Sequence, residues 1–242
     1  GYDCRISGET DFPCIYGDRV GLGRIYVKLP KGTPLNYESW VNGLKDGKSY
    51  VGDGLSHLMD FQVNGLEVGS RGDGGRASYL AIAGGKALKV RAKVAALLAR
   101  TPNEAIRQRP LNQKPYWHVE RARVGNTNRV PVELIVNGES VARKEIPADG
   151  ELSDIEFDYE LKKSSWVALR IFPTCHTNPI FVEVDGKPIR ANRKSFEWCI
   201  EAVDVCWKSK VNNIRPHERL AARAAFDFAI RQYRKRMAEM ED

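Results

Sequence analysis

The sequence predicts a mainly β protein: an antiparallel, immunoglobulin-like β-sandwich followed by a helical hairpin. Three observations predict it. Apolar residues recur with a period of two in segment after segment between 57 and 189, and short turns join these segments where helices would join parallel strands. Three of the turns share one local form, VNGLEV at 63–68, VNGESV at 136–141 and VDGKPI at 184–189, and Asn-Gly or Asp-Gly between apolar residues is a strong hairpin signal. After Arg193 the period becomes 3.6.

The bulk numbers bound the problem. The chain has 242 residues, 42% hydrophobic and 29% charged, enough for a substantial core and for one or two domains. No apolar run approaches the roughly 20 residues that span a bilayer, so no membrane span is expected. The formal net charge of +7 gathers in the last helix and around 100–123. It reads as a solvated basic face, and nucleic acid is not an expected partner. Five cysteines, at 4, 14, 175, 199 and 206, include no C-x-x-C and do not form a disulfide framework. Cys199 and Cys206 lie two helical turns apart and are expected as small buried hydrophobes.

Taken in order, residues 1–23 alternate polar Asp3, Arg5, Ser7, Glu9 and Asp11 with Tyr2, Cys4 and Ile6. On a strand this places two carboxylates on one face. Either the strand end delivers Glu9 and Asp11 to a metal or substrate, or the segment is a solvated terminus. Residues 24–29 form a short strand. Asn36 is a candidate N-cap for a helix carrying Trp40, Val41 and Leu44, and Gly47 suits its C′ position. A strand at 49–51 follows. From His57 the period is two, with His57, Met59, Phe61 and Val63 on one face. The segment 69–76, GSRGDGGR, is rich enough in Gly to predict a mobile loop, and its Arg-Gly-Asp is a chance match.

Residues 79–83 and 88–98 are further strands, and 99–115 is a long surface connection. The stretch 116–124, YWHVERARV, interleaves aromatic and charged residues and predicts a strand with one solvated face. Its alternative is a ligand or docking surface using Trp117, His118 and Arg121. Strands at 130–136, 140–146 and 155–159 lead to SSWVALRIF, the most apolar strand, in which Trp166 is expected in the core. Asn178-Pro179 turns the chain before the strand at 180–184. His176 in that turn is either a ligand or acid/base residue, or a histidine bonded to backbone. The helical stripes run Phe196, Cys199, Ile200, Val203, Cys206, Trp207 and then Phe226, Ile230, Tyr233, Met237, Met240. No nucleophile elbow, P-loop, dinucleotide fingerprint or paired-histidine motif is present, so the residues alone assemble no active site.

One resemblance goes further. SGETDFPCIYGDRVGLGRIYVKL, with GKSYVGDGLSHLMDFQVNG, resembles the C-terminal part of carbaryl-hydrolase-type metallohydrolases, relatives of the polymerase-and-histidinol-phosphatase superfamily. PYWHVERARVG and HTNPIFVEVDGKPI look similar to that group's C-terminal sandwich. The resemblance implies that 1–56 is the end of a distorted barrel with a connecting helix, that 57–190 is the sandwich, and that 191–242 is a helical hairpin packed on it. It implies that Asp11, with Glu9 beside it, is a late ligand to a divalent metal held mainly by a barrel that is not in this chain. In that family a His follows the Asp; here Phe12 and Pro13 do. The implied partner is that barrel, part of the same polypeptide; the chain begins with Gly and not Met, as a processed product or excised piece would. The chain alone is expected to hold no metal and to be inactive. The alternative is a non-enzymatic carbohydrate- or protein-binding sandwich.

Overall fold

A computed structural model describes residues 2–10, 21 and 23–240. In chain order the larger elements are β1 (Arg24–Val27), α1 (Tyr37–Asp46), β2 (Ser49–Gly52), β3 (Ser56–Val63), β4 (Leu66–Glu67), β5 (Tyr79–Ile82) and β6 (Ala87–Ala96). They continue with α2 (Glu104–Arg107), β7 (Arg129–Val136), β8 (Glu139–Pro147), β9 (Ser153–Glu160), β10 (Ser165–Ile171), β11 (Cys175–Thr177), β12 (Ile180–Val184), α3 (Arg193–Lys210) and α4 (Arg219–Ala238). Among the described residues the fold is mainly β and sandwich-like, without a closed barrel, and ends in a helical hairpin. Two compact units divide at Lys187 and Pro188.

Within the first unit β4-β3-β6-β9 make a four-stranded sheet, and the remaining strands make an eight-stranded sheet centred on β10. One edge of β10 pairs with β7, Val167–Arg170 against Val136–Glu133. Its other edge is shared. Ser165–Val167 pair with β12, and Arg170–Ile171 pair with β11. Asn178-Pro179 is the break between those two strands. Beyond them, β2 continues from β11 and β5 from β12. The β5–β12 pair is parallel, the exception to the antiparallel pattern the turns predict. The core lies between the sheets, with Leu58, Phe61, Val90 and Val94 on one side and Val132, Leu134, Leu169 and Val182 on the other. Burial of this kind is the main stabilising term of such a fold.

Several expectations hold at residue level. Asn36 caps α1, accepting from the Ser39 N–H at 2.9 Å, while Ser39 Oγ accepts from the Asn36 N–H. Gly47 closes the helix with φ 76°. Asn64 and Asn137 sit at φ 50° and 52°, each before a left-handed Gly, as the primed hairpin turn demands.

Others are corrected. Residues 116–124 are not a strand: a 3-10 helix spans Val119–Ala122, because Glu120 and Arg123 pair three residues apart. Residues 2–10 form no strand either, and 11–20 lie outside the described residues. The third turn, at Asp185-Gly186, starts no hairpin; among the described residues no strand follows β12 to answer it. In β3 the register shifts between Met59 and Gln62 at a bulge, so Leu58, Phe61 and Val63 are buried while His57 and Met59 are not. The Arg-Gly-Asp segment is tied down by the Arg71–Ala77 bridge, and Asp73 Oδ2 accepts the Ala81 N–H at 2.6 Å. Trp166 is half-buried; the inward face of β10 is Val167, Leu169 and Ile171.

In the second unit Trp207 meets Phe226 edge-on at 5.2 Å, and the Arg223 guanidinium lies 5.2 Å from the Trp207 ring. Cys199 is half-buried and Cys206 exposed, against expectation, because two helices cover only part of each other's apolar stripes. No helix among the described residues is long and apolar enough to cross a membrane.

Candidate functional site

The candidate site is built from the break in the strand beside β10. Asn178, fully buried, fixes that break. Its Nδ2 donates to Ser49 Oγ at 2.8 Å, and its Oδ1 accepts the Ile6 N–H at 2.8 Å. The N-terminal segment is thereby bound to the eight-stranded sheet. Arg5 adds a hydrogen bond to the Ala77 carbonyl at 2.9 Å and lies over the Phe181 ring at 5.0 Å. Gly8 then crosses β2 so closely that a Cβ would fall 2.9 Å from Val51 Cγ1. Thr10, also buried, bonds to Gly23, and a Cβ at Gly23 would fall 3.1 Å from the Glu9 carbonyl and 3.2 Å from the Trp117 ring. Two glycines thus let four chain segments meet at van der Waals distance.

The segments border an open cleft of about 570 Å³. Glu9, Arg24, Trp117, Arg170, Phe172 and His176 contribute to its walls. Its floor is rigid. Asp53 Oδ1 accepts the N–H groups of Leu55 and Ser56 and the Ser56 hydroxyl, which also bonds Thr174 Oγ1 at 2.8 Å. Arg24 donates to the Gly21 carbonyl at 2.7 Å. Arg170 pairs with Glu133 at 2.9 Å and sits 5.1 Å from the exposed Phe172 ring. Glu9 accepts from the Ser7 hydroxyl.

His176 Nδ1 lies 2.6 Å from the Thr177 carbonyl. A carbonyl only accepts, so Nδ1 carries the proton and Nε2 holds the lone pair of the neutral ring. Burial, with Arg170 adding to it, lowers the His176 pKa, while the Thr177 carbonyl pulls the other way. The ring is therefore neutral at pH 7. Cys175 on the floor is buried, which pushes its thiol well up and leaves it no nucleophile. Guanidinium groups, two aromatic rings and one acceptor nitrogen suit the binding of a polar or anionic group beside a flat apolar one.

Of the sequence candidates, the structure brings Glu9, Trp117 and His176 to one cleft. Trp117 holds a left-handed φ of 44°, unusual for a bulky residue. Asp11 lies outside the described residues. His118 and Arg121 do not join the cleft. His118 Nδ1 accepts the Glu120 N–H at the start of the 3-10 helix, and Arg121 donates to the carbonyls of Arg109, Pro110, Gln113 and Pro115. Arg24, Arg170 and Phe172 were missed by sequence reasoning. Arg170 gave a signal, a lone cation in an apolar strand; Arg24 gave none. Among the described residues no group of three or more His, Cys, Asp and Glu side chains converges, so these residues do not by themselves fit a divalent metal. No family model matches the chain, and no curated protein matches it.

Proposed function

We propose that this chain is the C-terminal sandwich of a metal-dependent hydrolase of the carbaryl-hydrolase type, and that it shapes one wall of the active site. The observation that carries this reading is the docking of the Ser7–Glu9 segment. The part of the chain that leads into the Glu9-Asp11 motif is pinned to the sheet by Asn178 and opens into the cleft beside Arg24, Trp117 and His176. In this reading an N-terminal barrel supplies most metal ligands, the sandwich positions the motif, and the cleft holds the part of the substrate remote from the reacting bond. Phosphate or other esters are the substrate class that the superfamily implies.

The test uses a chain extended by the residues encoded ahead of Gly1. It should hold stoichiometric divalent metal and hydrolyse a nitrophenyl ester or phosphate. Arg24→Met and Trp117→Ala should each lower kcat/KM about tenfold or more, chiefly through KM, since they remove substrate contacts and not the reacting groups. An extended chain without further His and Asp/Glu motifs would sink the reading. The second reading, a non-enzymatic carbohydrate-binding sandwich, draws on Trp117 and Phe172, two rings flanking polar groups. Saturable glycan binding by the present chain, lost in Trp117→Ala, would favour it.

A further inference from the structure

A second cavity, of about 300 Å³, lies between the two sheets and shares no lining residue with the cleft. Its apolar walls come from both layers: Tyr26 and Val27 of β1, Leu58 and Phe61 of β3, then Met59 and Val68. The volume is at the lower end of small-molecule sites, which span about 300–1,000 Å³. The cavity is half open, and the apolar part of its wall is of the kind that a small hydrophobic ring would cover.

The mouth is built. Lys28, just past β1, reaches Asp60 of β3 at 2.8 Å and Glu67 of β4 at 2.5 Å, so an ion triplet spans from one sheet to the other. Burial works against the Lys28 ammonium, but the two carboxylates outweigh it and raise its pKa. Asp60 reaches this position only through the bulge in β3, at a left-handed φ of 52°. Bulges re-aim side chains beside functional sites, and non-glycine residues held at such angles cluster at ligand clamps. Lys48 also borders the cavity. Two lysines against two carboxylates leave no net charge at the mouth to select a charged ligand.

We propose that this cavity binds a small uncharged ring compound, aromatic or alicyclic, behind a rim formed by Lys28, Asp60 and Glu67. The proposal stands apart from the hydrolase reading and does not depend on it. The probe is 4-fluorophenol, followed by fluorine NMR in the present chain, together with the methyl resonances of Met59, Met237 and Met240. Saturable binding is expected, with the Met59 methyl shifting and the Met237 and Met240 methyls unmoved. Val68→Trp, which fills the space, should weaken binding about tenfold or more, within the range that one altered apolar contact gives. Absence of saturable binding, saturation without movement of Met59, or undiminished binding by a folded Val68→Trp would each overturn the proposal. The methyl readout decides the matter even where Val68→Trp fails to fold.

Discussion

The cleft and the loop at 99–127 are made of the same kinds of residue, and the structure uses them in opposite ways. Both hold arginines, a histidine, a glutamate and a tryptophan. In the loop the polar groups named here face inward to the chain itself. Arg121 ties together the carbonyls of 109–115, His118 caps a 3-10 turn, and Arg123 satisfies Glu120, Thr127 and Ala99 together. In the cleft, Arg24 donates from Nε to the Gly21 carbonyl, Arg170 is held at its side by Glu133, and His176 keeps a lone pair on Nε2. A stretch of aromatic and charged residues is thus no guide to a surface until its hydrogen bonds are assigned. The tryptophan alone crosses from one region to the other: Trp117 belongs to the loop and lines the cleft.

The largest effect that can break this contrast is in the loop. Glu120 and Arg123 are buried, with side-chain exposures of 3% and 1%. Arg123→Met leaves a buried carboxylate without its partner, and such losses cost about 3–5 kcal/mol. The urea midpoint at pH 7 should fall accordingly. Burial raises the Glu120 pKa, but its bonds to Arg123 and to the Asn103 N–H outweigh this and hold it below 4.5. A depressed folded pKa contributes stability above about pH 4.5 that is lost as pH falls through the folded value. Without Arg123 the burial contribution dominates and the sign reverses, so acidification relieves the variant. The stability gap between the two proteins should therefore narrow as pH drops toward 4. A gap that is small at pH 7, or constant with pH, would show that the loop is not held as described.

The cleft side is tested through Asn178. Asn178→Ala removes the Ile6 and Ser49 bonds from a fully buried position, for a cost of about 1–3 kcal/mol. The local effect is more telling than the global one. The Ile6 amide should exchange slowly in the native chain and at the rate of an exposed amide in the variant, while the Leu58 amide in β3 stays protected. If Ile6 exchanges rapidly in both, the N-terminal segment is not part of the sheet, and the positioning role proposed for it fails.

How much of this was legible beforehand follows from the range of the interactions. The capped helix, the three primed turns and the inward stripe of β6 are local, set within a few residues, and the sequence displays them. The bulge at Asp60 is not local. Nothing in HLMDFQV marks the extra residue, and it inverts which side chains face the core. The parallel pairing of β5 with β12 joins strands about a hundred residues apart and leaves no local trace. The same holds for the cleft. Glu9 and His176 could be suspected one at a time from composition, but their meeting depends on Asn178 reaching Ile6 across the fold. In 116–124 alternation promised a strand, and the Glu120–Arg123 pair, whose spacing suits a helical turn, won.

The smallest effect is the sharpest probe of the cleft's electrostatics. The His176 pKa lies below 6.5, first because of burial and then because of Arg170. Between the folded and unfolded values the unfolded chain binds more protons, so stability rises with pH there and is lost as pH falls below about 6.5. Arg170→Met removes the cation but not the burial, so the His176 pKa should rise only part of the way back. His57 supplies the internal control. Its pKa is also lowered by burial first; Asp53 raises it and Arg24, not Arg170, lowers it further. The Tyr50 hydroxyl bonds its Nδ1 at 2.7 Å. Proton NMR titration of the two rings should then show a crossed pattern. Arg170→Met moves His176 upward and leaves His57 in place, and Arg24→Met moves His57 upward with less effect on His176. Equal movement of both rings in either variant would mean that the two arginines act through a general loosening of the sheet, and that the cleft has no local field of its own.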